Sequence, residues 1–416
     1  MTSTRFAQAA GTLLTLVAAV SNSGSAADVI PQFVARDGAF HVVRDGQDTR
    51  LFVHAVNLGV GVPGTQPGAL AATESQYTNW LRQIGGMGFR AVRIYTLHYP
   101  RFYKALRDYN LNNPEAPLYL FHGVWLDEEN PSGTYDLHAF TPIFTDGITQ
   151  AVRAVHGDIT IPDRWGRAYG AYTNDVSPWV LGWIIGREIY AYEVDETNQA
   201  HTNDTSFVGT HLSLPVGSPA ECWVTARLDD LARYEQEEFG TGRPISFSCW
   251  PTLDPLYHPS ENSHTGEDSE AVDLANLDTP RFAPGYFASY HVYSFYPDFN
   301  NGDPAYTMVQ DLEGPNSYLG TCGPCTITTT RSRCSSPSSA SPRAGAMRTS
   351  PSSAGRTTAD TRRRPKGATR RACSTTSPRP AAGAAPCSGG STSGGKPPGS
   401  PPSSISRRIG ATAGIT

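Results

Sequence analysis

The last stretch of this chain lacks almost everything a folded core is made from. Residues 321–416 contain no Trp, Tyr or Phe and a single acid, Asp360, against 15 Lys and Arg. All 7 Trp, 19 Tyr and 16 Phe lie before them, with 37 of the 38 acids. Such a segment cannot bury enough apolar surface to offset its ordering entropy. A second globular domain at this end is therefore excluded. One reading is a disordered basic tail for an anionic partner. The sharper reading is translation in the wrong frame. Sliding the frame back one base lets the stretch from Ser335 encode Leu-Val-Ala-Glu-Phe-Gly-Val-Pro-Ser-Ser-Arg. The stretch from Thr392 then permits Asp-Glu-Trp-Trp-Lys-Ala-Thr-Trp, which is the text of a folded protein.

Cysteine is scarce outside that tail. Five of the seven lie in it, among them Cys322-Gly323-Pro324-Cys325. A redox motif of this type needs a strand before it and a helix after it to lower a thiol pKa. Here it opens a Thr/Ser/Arg run, so a redox role is excluded. Cys222 and Cys249 remain, and either a disulfide or two buried thiols would suit an exported protein. No Walker motif, HExxH or Cys-His zinc spacing is present, and Gly59, Gly61 and Gly64 do not form the dinucleotide pattern. No cofactor and no metal is expected. Long apolar runs are also missing, apart from AAGTLLTLVAAV after Arg5. With small residues at Gly24-Ser25-Ala26-Ala27, residues 1–27 read as a signal peptide. The run is short for a membrane span, with an uncleaved anchor as the alternative. A secreted or periplasmic location is expected. The acidity of residues 28–320 argues against nucleic acid as a partner.

What is present in residues 28–320 is a regular alternation. FVARDGAFHVVRDGQDTRLFV reads as strands joined by Asp-Gly turns at Asp37-Gly38 and Asp45-Gly46. From about Leu51 onwards, strands and helices take turns. Thr73 to Gln76 reads as a capping box ahead of the helix ESQYTNWLRQIGGMG. The strand FRAVRIYTLHYP, the helix RFYKALRDYNLNN and the buried strand PLYLFHGVWL follow. A helix is expected at about 138–156. Then come the strand PWVLGWIIGRE, a long helix ended by Gly240, and the strands RPISFSCW and YFASYHVYSFYP. Six such units suit a (β/α)8 TIM barrel truncated to about six βα units. A doubly wound sheet is the alternative.

Functional residues of a barrel gather at the C-terminal ends of its strands. Those ends supply Asn57, Arg93, Tyr95, His98, Trp125, Glu188, Trp250, His291, Tyr293 and Tyr296. Aromatic rings with polar tips, an Arg, a His and a carboxylate make a plausible sugar site, so a carbohydrate substrate is expected. Trp125 and Trp250 serve equally well as core or rim residues, and one of Tyr293 and Tyr296 is expected to be packing.

These blocks resemble retaining glycoside hydrolases with (β/α)8 barrels. VLGWIIGRE is similar to their fourth strand, FRAVRIY to their second and SYHVY to their sixth. RIYT, LYLFHGVW, DVSPWVLGWIIG, RPISFSCWPTLDPL and FASYHVYSFYPDF resemble a bacterial group related to glycoside hydrolase family 2 catalytic domains. The resemblance covers about residues 33–320. It implies that Glu188 is the acid/base, that Arg93 orients the nucleophile and that His291 and Tyr293 are the sixth-strand His-x-Tyr; with the strand-end residues Tyr95, His98, Trp125 and Trp250 they are expected to line the substrate site. In two places the chain departs from that pattern. Arg187 stands where an Asn would contact the sugar 2-hydroxyl. The seventh-strand nucleophile exists only in the shifted frame beneath residues 337–345. Retaining hydrolysis uses two carboxyls, so the polypeptide is expected to be inactive as written. A secreted carbohydrate-binding pseudoenzyme is the competing reading.

Sequencing the gene across the Gly320 codon is expected to show that correcting one base opens a long reading frame. Mass-spectrometric detection of tail peptides, with the printed frame intact in the gene, would count against an error in the sequence.

Overall fold

Parallel strands buried on both faces need an apolar partner on each side, and the sheet of this protein has a different partner on each. The computed structural model describes residues 32–320 apart from 45, 60, 67, 68, 131, 257, 262–267, 294 and 295. The expected signal peptide and basic tail lie outside the described residues.

The chain opens with β1 (Phe33–Arg36), β2 (Ala39–Arg44) and β3 (Gln47–Leu51), an antiparallel sheet in the order β1-β2-β3. Its first turn uses left-handed backbone at Asp37 (φ 50°) and Gly38 (φ 73°), as the Asp-Gly pair predicts. Next come β4 (Ala55–Asn57), α1 (Glu74–Gly86), β5 (Ala91–Ile94), α2 (Pro100–Asn112) and β6 (Tyr119–Val124). They are followed by α3 (Thr141–Val155), the hairpin β7 (Ile159–Ile161) and β8 (Gly170–Tyr172), β9 (Val180–Ile185) and α4 (Ala191–Ala200). The hairpin β10 (Phe207–Val208) and β11 (Ser213–Leu214) precedes α5 (Pro219–Phe239) and β12 (Ile245–Cys249). The described part closes with β13 (Ser289–Tyr290), α6 (Phe299–Gly302) and α7 (Pro304–Thr307).

Thr73 caps α1 in a full capping box with Gln76, and Gly240 ends α5 in the left-handed region at φ 62°. Both were legible in the sequence. The first parallel strand begins at Ala55 rather than near Leu51. Leu51 still pairs with Phe40 in the antiparallel sheet, and the chain changes partners at His54, whose carbonyl accepts from Arg90 and Ala91. The small hairpins and α4 are further additions, because strands of two or three residues leave no periodic signal. No disulfide joins Cys222 and Cys249.

The main sheet runs β4-β5-β6-β9-β12-β13, every pairing parallel. This order never reverses. Right-handed crossovers then put every connecting helix on the same face. A doubly wound sheet reverses its order and carries helices on both faces, so that alternative is excluded. The sheet also curls. Tyr95 follows β5 and His291 follows β13, four strand spacings apart, or roughly 19 Å across a flat sheet. Their ring centroids are 5.7 Å apart. The described residues therefore form a mixed α/β half-barrel, consistent with a truncated TIM-like barrel.

On the convex face, Val92, Ile94, Leu120, Val124, Trp183, Ile185, Ile245 and Phe247 pack against the helices. On the concave face, Ala91, Tyr119, Phe121, Leu181, Ile184 and Phe287 meet the antiparallel sheet through Phe33 and Ala35. Phe40 sits edge-on to both Phe121 and Phe287, at 5.4 and 4.9 Å. The β1–β3 sheet thus fills the N-terminal end of the concavity and leaves the C-terminal end uncovered.

One buried ionic cluster ties α5 to the sheet. Glu235 accepts from Trp183 Nε1 (3.1 Å) and from Arg243, whose Nη2 also reaches the Ser177 carbonyl (2.9 Å). Glu235 and Arg243 are both buried. Removing one partner strands the other's charge, so Glu235→Ala is expected to cost about 3–5 kcal/mol. The paired change Glu235→Leu with Arg243→Met should recover most of that loss in urea unfolding. A single-variant cost below about 1 kcal/mol, the usual range of an exposed pair, would show the cluster to be dispensable.

Candidate functional site

The pleat decides which side chains reach the open end. In β5, Val92 and Ile94 face the helices, so Ala91 and Arg93 face the concavity. In β12 the same alternation sends Ile245 and Phe247 outward and Ser246 and Ser248 inward. Phe287 packs in the concave cluster, and Ser289, His291 and Tyr293 follow it at every second position. Arg93 Nη2 donates to Ser248 Oγ at 3.1 Å across two intervening strands, which only a curled sheet allows.

Glu188 stands just beyond β9, on a turn that requires glycine. Gly186 has φ 84°, and an added Cβ would lie 2.5 Å from the Phe247 ring. The Gly186 amide donates to the Val124 carbonyl at 2.8 Å, fixing this turn to the end of β6. Glu188 Oε1 accepts from His291 Nδ1 at 2.8 Å and from the Tyr293 hydroxyl. Its side chain is 27% exposed. Among the described residues, no donor is bonded to its Oε2. Tyr95 completes the wall. Its ring lies 4.4 Å beneath the Arg93 guanidinium, 5.7 Å from His291 and 6.3 Å from Trp125.

Burial alone pushes the Glu188 carboxyl up. The His291 and Tyr293 hydrogen bonds and the Arg93 charge outweigh it, so the group titrates below the ordinary carboxylate range. Burial lowers His291, and Arg93 adds to this against the pull of Glu188. The Nδ1 proton goes to Glu188, which leaves Nε2 of the neutral ring as a buried acceptor with no hydrogen bond. Burial and the neighbouring Glu188 charge push the Tyr293 phenol up, so it remains a donor. The site is therefore a carboxylate holding two donors on one oxygen and offering the other.

Arg93, Tyr95, Trp125, Glu188, His291 and Tyr293 thus come together. His98 does not join them. It is fully buried, with its ring 5.0 Å from Phe102 and its Nδ1 2.8 Å from the Tyr77 hydroxyl. Burial, then the charges of His122 and Arg101, push it down to about 3, so it is a neutral core histidine. Trp250 is buried, donates to the Ile189 carbonyl at 2.7 Å and lies on Tyr296 at 6.1 Å. Those two rings form a wall behind the site. Asn57, at the end of β4, is partly buried.

Arg187 has a structural task. It grips Glu193 of α4 through two bonds, at 2.7 and 2.8 Å, and donates to the carbonyls of Leu126, Asp127 and Glu188. Its guanidinium is thus committed to α4 and the loops after β6 and β9, away from the Glu188 carboxylate. Asp127 pairs with Arg167.

His138, His201 and Asp204 bring ligand-type atoms within 4.8 Å of one another. The two imidazoles are stacked, centroids 3.8 Å apart and planes 23° apart, so their in-plane lone pairs run side by side. A ring would have to turn before both could bind one ion. A cavity of about 30 Å³ lined by Phe247, Cys249 and Tyr286 holds none of the groups around Glu188.

No family model matches the sequence, and no curated protein matches it. Among solved structures it is similar to an endo-laminarinase from Formosa Hel1_33_131, with a TM-score of 0.33 and 13% identity. That alignment covers 68% of this chain and 62% of the other. It is also similar to an exo-β-1,4-mannosidase from Opitutaceae bacterium strain TAV5, with a TM-score of 0.32 and 9% identity, over 73% of this chain and 63% of the other. The chain thus spans less than two thirds of the length of each. Likenesses this slight bear on neither the fold nor the chemistry. The half-barrel rests on strand order and curl.

Deleting the Tyr293 hydroxyl tests the electrostatics. Tyr293→Phe removes one of the bonds that favour the ionised carboxyl, so the Glu188 pKa is expected to rise. Isotope-edited infrared titration of the Glu carboxyl band would measure it. An unchanged or lower value would mean that the hydroxyl does not hold the carboxylate.

Proposed function

We propose that this chain is an exported, glycoside-hydrolase-like half-barrel that binds carbohydrate around Glu188, and that the polypeptide as it stands does not hydrolyse what it binds. The observation that carries this reading is a carboxylate on which no second carboxylate acts among the described residues. Retaining hydrolysis needs two carboxyls roughly 5–5.5 Å apart, one to attack the anomeric carbon and one to protonate the leaving oxygen. The groups that act on Glu188 among the described residues are His291, Tyr293 and Arg93. All three favour its ionised form, so at neutral pH it has no proton to give. Its open oxygen, with the Tyr95 and Trp125 rings beside it, fits a sugar hydroxyl and an apolar sugar face.

Arg93 points to what is missing. It is buried, its Nε has no hydrogen bond, and no ion pair engages it among the described residues. Glu188 acts on its charge through space, but a buried guanidinium without a contacting counter-ion is unfavourable. The nucleophile implied by the resemblance to the family 2 group supplies one. Its negative charge would also repel Glu188's own and lift that carboxyl toward the range of a proton donor. In the frame-restored protein, the first step therefore has the seventh-strand Glu attack while Glu188 protonates the leaving oxygen. In the second step Glu188 takes a proton from the water that releases the sugar.

The frame-restored protein is expected to hydrolyse aryl glycosides and the printed chain is not. In the restored protein, Glu188→Gln should lower turnover about 10²–10⁴-fold on substrates with poor leaving groups. Good leaving groups, which need little protonation, should lose less in the first step, and azide should partly rescue a slow second step. Full activity of Glu188→Gln on a natural glycan would remove the assignment and move the search to Asp127 and Glu128.

A further inference from the structure

Three exposed tyrosines extend outward from the mouth of the cleft. Tyr190 follows Glu188 by two residues, and its ring stacks on Tyr192 with centroids 5.2 Å apart and planes 10° apart. Tyr192 meets Tyr135 edge-on at 4.6 Å. These rings are 41%, 49% and 50% exposed, respectively. On the inner side Tyr190 lies 5.8 Å from Trp250, Trp250 lies 6.1 Å from Tyr296, and Tyr296 lies 6.4 Å from Tyr293. The Tyr293 hydroxyl bonds Glu188. A continuous run of rings therefore leads from the carboxylate to the surface.

The outer rings are held in place before anything binds. Tyr135 belongs to the loop after β6, and Tyr192 to the first turn of α4. Glu196 of α4 accepts from the Thr134 hydroxyl and from the Tyr135 amide (3.2 Å), and the Leu137 amide donates to Thr197 Oγ1 at 2.9 Å. Arg187 fixes the start of the same helix through Glu193. Such pre-set rings lose little conformational freedom on binding. Burial and the Glu193 charge push the Tyr192 phenol up to about 12, so its tip stays a hydrogen-bond donor at neutral pH.

The chemistry of this ledge selects its occupant. Its exposed large apolar-faced side chains are Tyr135, Tyr190 and Tyr192, flat faces with hydroxyl tips, and the Glu196 carboxylate is bonded to the loop that carries Tyr135. That combination matches sugar rings, which have apolar faces and hydroxyl edges, better than an aliphatic protein surface. The ledge is also continuous with the cleft at Glu188. We infer that Tyr135, Tyr190 and Tyr192 form a distal sugar-binding surface, so that the ligand is an extended glycan of several linked sugars rather than a single glycoside. The inference rests on the carbohydrate reading of the cleft.

Affinity electrophoresis of the full chain through gels containing mixed-linkage β-glucan, galactomannan or arabinoxylan tests it, with calorimetric titration of the matching disaccharides alongside. Three proteins are compared: the unaltered chain, Tyr135→Ala with Tyr192→Ala, and Tyr135→Phe with Tyr192→Phe. At least one polysaccharide is expected to retard the unaltered chain and the Phe pair. The Ala pair should lose at least about tenfold in affinity for it, the scale of truncating an aromatic anchor. Disaccharide binding should be equal in all three. Retardation of the Ala pair equal to that of the unaltered chain would overturn the ledge and leave the cleft reading intact, as would disaccharide binding without polysaccharide retention. Failure to bind any of these sugars would overturn both. If the Ala pair loses its thermal transition, Tyr135→Ser alone, at a half-exposed ring, takes its place under the same criteria.

Discussion

Curling of the six-stranded sheet is the constraint on which the rest depends. Tyr95 and His291 stand beyond strands separated by three others, and only the curl brings their rings to 5.7 Å. The same curl lets Arg93 reach Ser248. It follows from two features of the chain. Sequential right-handed crossovers place the helices on one face, and the twist of parallel strands turns the other face in upon itself. A flat sheet from the same strands would scatter the candidate site along its edge.

A curled sheet has a concave face, and that face has to be filled. The β1–β3 sheet does this at one end, with Phe33 against Tyr119 and Phe40 between Phe121 and Phe287. With the N-terminal end filled by aromatic rings, polar side chains gather at the other end, where water and ligands reach them. Arg93 and Ser248 lie above the apolar layer, and Glu188, His291, Tyr293 and Tyr95 lie at the mouth. The sheet ends in two short edge strands, β4 of three residues and β13 of two. Short edges limit edge-to-edge pairing, but they do not complete a barrel.

The electrostatics of the site favour one charge state of its carboxyl. A proton donor for glycoside cleavage needs a carboxyl raised by apolar burial or by a neighbouring negative charge. Burial is present at Glu188, yet two donors and a guanidinium overcome it. Such an arrangement suits one member of a carboxylate pair, with Arg93 shared between the two. At Glu188 the Arg93 charge and the His291 and Tyr293 donors act together to favour the ionised form.

The sequence by itself determined the secondary structure that is written locally and which polar groups stand at the strand ends. Thr73 with Gln76, Gly240, Asp37 with Gly38 and the apolar strand runs act within a few residues, so they are legible without a fold. Glu188, Arg93, His291 and Tyr293 were legible too, because strand ends in an alternating pattern mark one end of a sheet. Tertiary structure alone decided which of the candidates meet. His98 lies only three residues beyond Tyr95, yet it turns into the layer between helices and sheet and packs on Phe102. Trp250 became a wall because its indole N–H found the Ile189 carbonyl. Arg187, one residue from Glu188, left that carboxylate for Glu193. Proximity in sequence fixes none of these choices, because a side chain's partner is set by the face on which the pleat or turn places it and by what the curl brings opposite.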